Sequence, residues 1–152
     1  MLDIGYFANV IDLGDGVGLA ISTDGVGTKI LIAQQIGKYE TVGIDCVAVN
    51  VNDVIAVGAE PIALVDTISM EAPEPQLLEE LGKGMYEGAR LANIAIVGGE
   101  MAQVPDLVKG PRPGHAFDLV GTCVGLVPID RIIVGQDIKE NDVVIGLASS
   151  GV

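Results

Sequence analysis

The amino-acid sequence predicts an α+β domain built on a mixed or antiparallel sheet. The chain has 152 residues, the length of one domain, and 49% of them are apolar, which is enough for a packed core. Strand-like runs and helical stretches follow one another without the regular βαβ alternation that a parallel sheet requires. Aromatic residues make up only 3% while glycine reaches 21 residues, so small aliphatic side chains must pack closely around glycines.

The first part of the chain is predicted to supply a strand, a loop and two helices. Residues 17–22 form an apolar run that ends in a polar, glycine-rich loop at 23–29, and residues 30–36 form a short helix or turn. The spacing over 41–58 fits both a strand and a helix. We favour the helix because the run is long for a strand, Thr41 can cap its start, and Gly58 with the following Pro61 can end it.

The rest of the chain is predicted to supply four strands and the clearest helix. Apolar residues recur at helical spacing over residues 75–92, with charged residues on the other sides. Residues 101–115, rich in Pro and Gly, read as a long loop. The predicted strands are 61–69, 94–97, 117–127 and 143–148.

The strand at 117–127 is apolar on both faces apart from Asp118 and Thr122. Gly121 and Gly125 reduce its bulk. A strand of this kind requires cover on both sides, as in the wall of a barrel. We therefore expect a second layer on each face of the sheet.

Charge and cysteine content limit the function classes. A net charge of −13 repels a nucleic-acid backbone, so nucleic acid is not an expected partner. A small anionic ligand would need a divalent metal held by carboxylates. Cys46 and Cys123 lie inside apolar runs and are expected to be buried free thiols in a reducing cytoplasm. No leader peptide and no membrane-spanning stretch is recognised.

Two common phosphate-binding motifs are absent. The segment Gly25–Lys29 ends like a Walker A loop, but Thr28 separates the glycine from the lysine. The glycines at 14–18 do not have the spacing of a dinucleotide-binding fingerprint. Any phosphate site must therefore be of another kind.

Carboxylates beside glycines or amides are the remaining candidates for chemistry. Asp15, Asp24, Asp53 and Glu100 occupy such positions, and Mg²⁺ prefers hard oxygen ligands of this type. Lys29 could meet a phosphate as a point charge. An Asp-Gly pair is more often a turn, which applies fully to Asp15 and partly to Asp24. Asn52 and Asp53 fit a structural or a functional role equally, and the single histidine, His115, reads as a solvated loop residue.

An ordered set of motifs resembles the aminoimidazole ribonucleotide synthetase (phosphoribosylformylglycinamidine cyclo-ligase) family over nearly the whole chain. The string STDGVGTK is the most specific of them, since relatives such as thiamine-monophosphate kinase carry other residues after the first Asp. The motifs are Ser22–Lys29, Gly43–Asp53, Gly58–Pro61, Val97–Glu100, Gly121–Gly125 and Ala148–Gly151.

The resemblance implies an amino-terminal, ATP-binding and dimerisation domain that spans residues 1–152. Sheets of two subunits would close into one shared β-barrel in a homodimer, with helices on one face. ATP and Mg²⁺ would bind beside the barrel. The resemblance assigns the metal to Asp24, Asp53 and Glu100, and ATP or its phosphates to Asp24, Gly25, Gly27, Thr28, Lys29, Asn52, Gly98 and Gly99.

The implied reaction is the ATP-dependent cyclisation of formylglycinamidine ribonucleotide to aminoimidazole ribonucleotide in purine biosynthesis. Family members usually begin with a further glycine-rich segment and continue into a carboxy-terminal α/β domain, so we expect this piece alone not to complete catalysis. Two alternatives remain open: another ATP-dependent superfamily member such as thiamine-monophosphate kinase, or a non-catalytic dimerisation module.

Overall fold

The structure is a computed structural model that describes residues 2–149. Five strands form one sheet in the order β1-β2-β5-β3-β4, in which β3 and β4 are parallel and the other neighbours antiparallel. The prediction of an α+β fold with a mixed sheet is therefore confirmed. The elements are β1 (Asn9–Gly14), β2 (Val17–Gly25), α1 (Lys29–Ile36), α2 (Glu40–Ala56), β3 (Glu60–Met70), α3 (Pro75–Ala92), β4 (Ala95–Gln103) and β5 (Phe117–Pro128).

Helix α3 has the predicted bounds, and its ends show why. Glu74 precedes it in an extended conformation, and its side chain accepts a hydrogen bond from the Leu77 N–H at 2.5 Å. Pro75 occupies the first turn, where its missing N–H costs nothing. Asn93 ends the helix in the left-handed conformation with φ 54°. Local chemistry thus defines both ends.

Helix α2 confirms the helical interpretation of residues 41–58, although it begins at Glu40 and its cap residue is Tyr39 rather than Thr41. Alternating side chains of β5 pack beneath it, and Gly121 and Gly125 allow Asn50 and Val54 to approach the sheet closely. Its β-branched residues are tolerated because they fill this buried contact.

Three glycines bring α2 and α3 into close contact. A Cβ on Gly43 would lie 2.5 Å from the Leu81 carbonyl oxygen, and a Cβ on Gly84 would collide with the Glu40 carbonyl. A Cβ on Gly88 would lie 2.9 Å from the Cβ of Val47. The two helix backbones therefore meet at these glycines, and no larger side chain fits there.

The structure corrects several predicted boundaries. The strand β1 was not predicted, and it forms a hairpin with β2 through Asp15 and Gly16, which both have positive φ (52° and 77°). The turn reading of Asp15 is confirmed by this geometry. Strand β2 continues to Gly25, so Asp24 lies in a strand rather than in a loop. Strand β4 likewise continues to Gln103, beyond the predicted end at residue 97.

The predicted strand at 143–148 is wrong. These residues form no strand, and Val143, Val144 and Ile145 are 85%, 95% and 83% exposed. An apolar run becomes a strand only when a neighbour meets its backbone N–H and C=O groups, and this segment pairs with no strand in the part of the chain described here. The motif Ala148–Gly151 extends beyond residue 149 and so lies partly outside the described residues.

One face of the sheet is covered and the other is open. On β5, every second residue from Phe117 to Val127 is buried under the helices, whereas the alternate residues are exposed or partly exposed. On the open face Ile11, Leu19 and Leu126 lie side by side across three strands. The cover expected on both faces of residues 117–127 is therefore present on one face within this chain.

Candidate functional site

Helix α2 lies along the segment Ser22–Lys29 and contacts it at three points. The Lys29 ammonium is 2.6 Å from a carboxylate oxygen of Asp45. The backbone of Asp24 binds the Asn50 side chain, and the Ser22 hydroxyl donates to Asp53. The order of the contacts is reversed along the helix, because the helix and the segment run in opposite directions. We call these contacts the α2 ladder.

The middle contact of the ladder involves three hydrogen bonds. The Asp24 N–H donates to Asn50 Oδ1 at 2.9 Å, and Asn50 Nδ2 donates to the Asp24 carbonyl at 3.1 Å. Asn50 Nδ2 also donates to the Cys46 carbonyl at 2.9 Å, one turn earlier in the helix. Asn50 is fully buried, so these bonds form away from water, where leaving them unmade would be costly.

The other two contacts are more open to solvent. The Ser22 Oγ–Asp53 Oδ2 distance is 3.1 Å, and Asp53 is partly exposed. The side chains of Lys29 and Asp45 are 53% and 36% exposed, so their ion pair contributes little to stability. Both groups could therefore change partners when an anion or a cation binds.

The loop between β2 and α1 is shaped by glycine. The Gly25 N–H donates to the Asp24 carboxylate at 2.8 Å, and Gly27 has φ 72°, a value that favours glycine. Thr28 precedes α1 without a side-chain cap. The predicted phosphate-binding residues thus follow Asp24 in order: Gly25 ends β2, Gly27 and Thr28 form the connecting turn, and Lys29 begins α1.

Asp24 and Asp66 lie in one row across the sheet. Asp24 pairs with Gly121, Gly121 pairs with Asp66, and Asp66 pairs with Gly99. Residues that pair directly across a sheet point to the same face. A Cβ on Gly121 would contact Asn50, and one on Gly99 would collide with Asp66, so this row faces the helices.

The structure places the other predicted site residues elsewhere. Glu100 follows Gly99 in β4, so its side chain points to the opposite face from Asp24 and is exposed. Gly98 and Gly99 lie in the same edge strand. Asn52 is exposed beside α3, on another side of α2 than Asn50. Within residues 2–149, no group of three or more His, Cys, Asp or Glu side chains is arranged to hold a metal ion.

Sequence reasoning did not single out Asn50 and Asp45. The available signal was a polar stripe on an otherwise apolar helix, since residues 45, 50 and 53 recur at helical spacing on the side that faces β2. His115 lies apart from the ladder, and its Nδ1 is 3.2 Å from the Pro113 carbonyl oxygen.

Cys46 and Cys123 are buried near the ladder, and the pKa of each thiol is raised. Burial, followed by the charges of Asp66, Asp118 and Asp24, raises the pKa of the Cys46 thiol to about 12. Burial alone raises the pKa of Cys123 to about 11. Both cysteines are buried free thiols, as predicted, and are protonated at neutral pH. The nearby carboxylates would favour a cation, whereas the burial that contributes most to the pKa shift of Cys46 would not.

Asp66→Asn is expected to increase stability at neutral pH. Burial raises the pKa of Asp66, only partly offset by a hydrogen bond from its own backbone, so the folded state holds this proton more tightly than the unfolded chain does. The stability linked to this proton is fully present below the pKa of Asp66 in the unfolded chain, about 3.9. It is lost as pH rises through the pKa of Asp66 in the folded protein. The side-chain amide of Asp66→Asn does not ionise, so the variant does not lose this stability as pH rises.

Urea denaturation of both proteins at about pH 7 and about pH 4 measures this effect. The advantage of the variant should be largest at the higher pH and should shrink at the lower one. A variant less stable than the wild type at neutral pH would show that the Asp66 carboxylate makes a favourable charged interaction.

The chain is similar in sequence to proteins named phosphoribosylformylglycinamidine cyclo-ligase. The phosphoribosylformylglycinamidine cyclo-ligase of Pyrococcus furiosus is 52% identical over 150 residues, which cover 99% of this chain and 43% of that protein. The chain thus spans less than half of the length of this relative.

None of the helices within residues 2–149 is long and apolar enough to cross a bilayer.

Solved structures share the fold at low identity. AaThiL complexed with AMPPCP and TMP superposes with a TM-score of 0.71 and 20% identity, covering 90% of this chain and 40% of that one. T. maritima PurL complexed with ADP gives a TM-score of 0.60 and 20% identity, covering 87% of this chain and 20% of that one. Residues 5–127 match the family described as AIR synthase related protein, N-terminal domain. The chain therefore belongs to that family.

Proposed function

We propose that this chain is the amino-terminal ATP-binding domain of an AIR synthetase, the phosphoribosylformylglycinamidine cyclo-ligase of purine biosynthesis. The α2 ladder is the observation that carries the proposal, because it gathers three aspartates and a lysine beside a glycine-rich turn. The relatives named as cyclo-ligases support the identity of the reaction, and the complexes of two fold relatives with AMPPCP and ADP support a nucleotide.

The donor set at the ladder fits Mg²⁺. Asp24 and Asp53 offer carboxylate oxygens, and Mg²⁺ typically uses one or two carboxylates together with waters and substrate phosphates. Asp24 and Asp53 would hold Mg²⁺, which when bound would neutralise the phosphate charge. Glu100 remains a proposed third ligand, although its side chain lies on the other face of the sheet.

The turn after β2 would receive the phosphates. Lys29 would exchange its partner Asp45 for a phosphate oxygen, a change that a half-exposed ion pair permits at low cost. Gly25, Gly27 and Thr28 leave room for close approach of an anion to the backbone. Three further residues lie outside the ladder and are also proposed to contact the nucleotide: Asn52, Gly98 and Gly99.

The cyclisation itself would proceed by phosphorylation of the formyl oxygen of formylglycinamidine ribonucleotide, followed by attack of the amidine nitrogen and loss of phosphate. This chain's residues would bind and orient the phosphates for the first step. The string STDGVGTK favours this reaction over that of thiamine-monophosphate kinase, although a kinase of that group shares the fold.

The open sheet face supports a homodimer. Ile11, Leu19 and Leu126 form an apolar row there, and Ile11 and Leu126 are 46% and 40% exposed. A second copy would cover this row and close the two sheets into a shared barrel, as expected for a strand with two apolar faces. Sedimentation should show a dimer at micromolar concentration, and a monomer would contradict the shared barrel. We place the protein in the cytoplasm, where buried thiols stay reduced.

Calorimetric titration of the chain with Mg·ATP tests the site. We expect saturable heat that disappears when EDTA removes the metal. Heat that is unchanged without metal would overturn the magnesium assignment. A dimer that binds no nucleotide would favour a non-catalytic dimerisation module.

A further inference from the structure

We infer that Asn50 is a positioning residue that fixes the backbone of Asp24 and thereby the direction of its carboxylate. The inference rests on the proposed role of Asp24 as a metal ligand. It goes further by naming the group that holds this ligand in place. Asn50 itself does not contact the proposed nucleotide, because it is fully buried between α2 and the sheet.

The strand pairing explains why Asp24 requires such a partner. Strand β1 pairs with β2 only from Val17 to Ile21, so β1 gives no partner to Asp24. The Asn50 amide meets both the N–H and the C=O of Asp24, as a peptide group of a neighbouring strand would. This contact ties the end of β2 to the middle of α2.

The bonding pattern specifies the side chain at position 50. One end of the planar group must accept from Asp24 N–H, and the other must donate to the Asp24 and Cys46 carbonyls. An amide does both at once, whereas a carboxylate has no donor and an apolar side chain has neither group. Aspartate at this position would also place a buried negative charge next to the exposed carboxylate of Asp24.

Gly121 makes room for this amide. A Cβ on Gly121 would lie 2.6 Å from Asn50 Nδ2 and 3.3 Å from Cys46 Sγ. Gly121 is also the cross-strand partner of Asp24. Alanine at 121 would therefore displace the Asn50 amide without removing it, which gives a second and independent way to disturb the same contact.

The test compares Asn50→Leu and Gly121→Ala with Val47→Ala in the full chain. Val47 is buried on the same helix but faces α3, so its truncation lowers stability without disturbing Asp24. The first measurement is hydrogen exchange of the Asp24 amide by NMR under native conditions. We expect roughly tenfold or greater acceleration, relative to the Ala20 amide, in the first two variants only.

The second measurement is the affinity for Mn²⁺ in the presence of ATP, followed by electron paramagnetic resonance. We expect a loss of about tenfold or more in Asn50→Leu and Gly121→Ala, and no loss in Val47→Ala. Equal losses in all three variants would mean that only stability matters and would overturn the positioning role. An unchanged hydrogen-exchange rate of the Asp24 amide in Asn50→Leu would also overturn the positioning role.

The two proposals can fail separately. If the wild type binds no Mn²⁺·ATP, the proposed nucleotide site fails, and the exchange of the Asp24 amide still decides whether Asn50 fixes this strand end. If the wild type binds and Asn50→Leu binds equally well, the site stands and the positioning role is wrong.

Discussion

Asp53→Asn is expected to weaken Mg·ATP binding by at least roughly 10- to 100-fold, because even the loss of a group that only orients a metal ligand typically costs that much. The substitution keeps the size of the side chain, and the amide oxygen can still accept the hydrogen bond from Ser22. It removes only the negative charge and one carboxylate oxygen. The stability of the protein should therefore change little while affinity falls.

Asp106→Asn is the matched control for this experiment. Asp106 is exposed in the segment after β4, and its substitution changes the net charge by the same amount. Calorimetry of both variants separates a local effect at the ladder from a general effect of charge. Equal affinity in Asp53→Asn and the wild type would remove Asp53 from the proposed metal site.

Gly84→Ala is expected to destabilise the fold by about 3 kcal/mol, at the upper end of the usual cost of overpacking. The added Cβ would collide with the Glu40 carbonyl, which belongs to the backbone and cannot rotate away. Helices α2 and α3 would have to separate, and α2 would then press less closely on the sheet. Because the ladder contacts are made by α2, we expect Gly84→Ala to weaken nucleotide binding as well as to lower stability.

Gly82→Ala provides the control of opposite sign. It lies two residues earlier in the same helix, is exposed, and has open space where the Cβ would be. Alanine in place of glycine inside a helix stabilises by about 1 kcal/mol. The midpoint of urea denaturation should therefore be lower than that of the wild type for Gly84→Ala and higher for Gly82→Ala. Similar midpoints for the two would contradict the close helix contact.

Local patterns determined much of this fold. Helix α3 is visible in the sequence because its apolar stripe, its proline start and its asparagine end all lie within one stretch. Strand β5 could be predicted because a long apolar run that contains glycines is typical of a covered strand. The family resemblance could also be found in the sequence, because its motifs are short strings, and the family matches residues 5–127.

Boundaries and pairings depended on contacts between distant residues. Strand β2 reaches Asp24 because β5 continues alongside it, and the predicted loop therefore began too early. The run 143–148 has the composition of a strand but has no neighbour in residues 2–149. Strand formation is decided by the partner, which a single stretch of sequence does not contain.

The candidate site shows the same division. The sequence by itself determined which residues have the chemistry to bind metal and phosphate, because carboxylates, glycines and a lysine stand in a recognisable order. Only the tertiary structure decided that Asp24 and Asp53 belong to one ladder on α2, that Asn50 joins it, and that Glu100 points to the other face. The reason is physical: side-chain direction follows from sheet register and helix packing, which bring together residues about 30 to 100 positions apart.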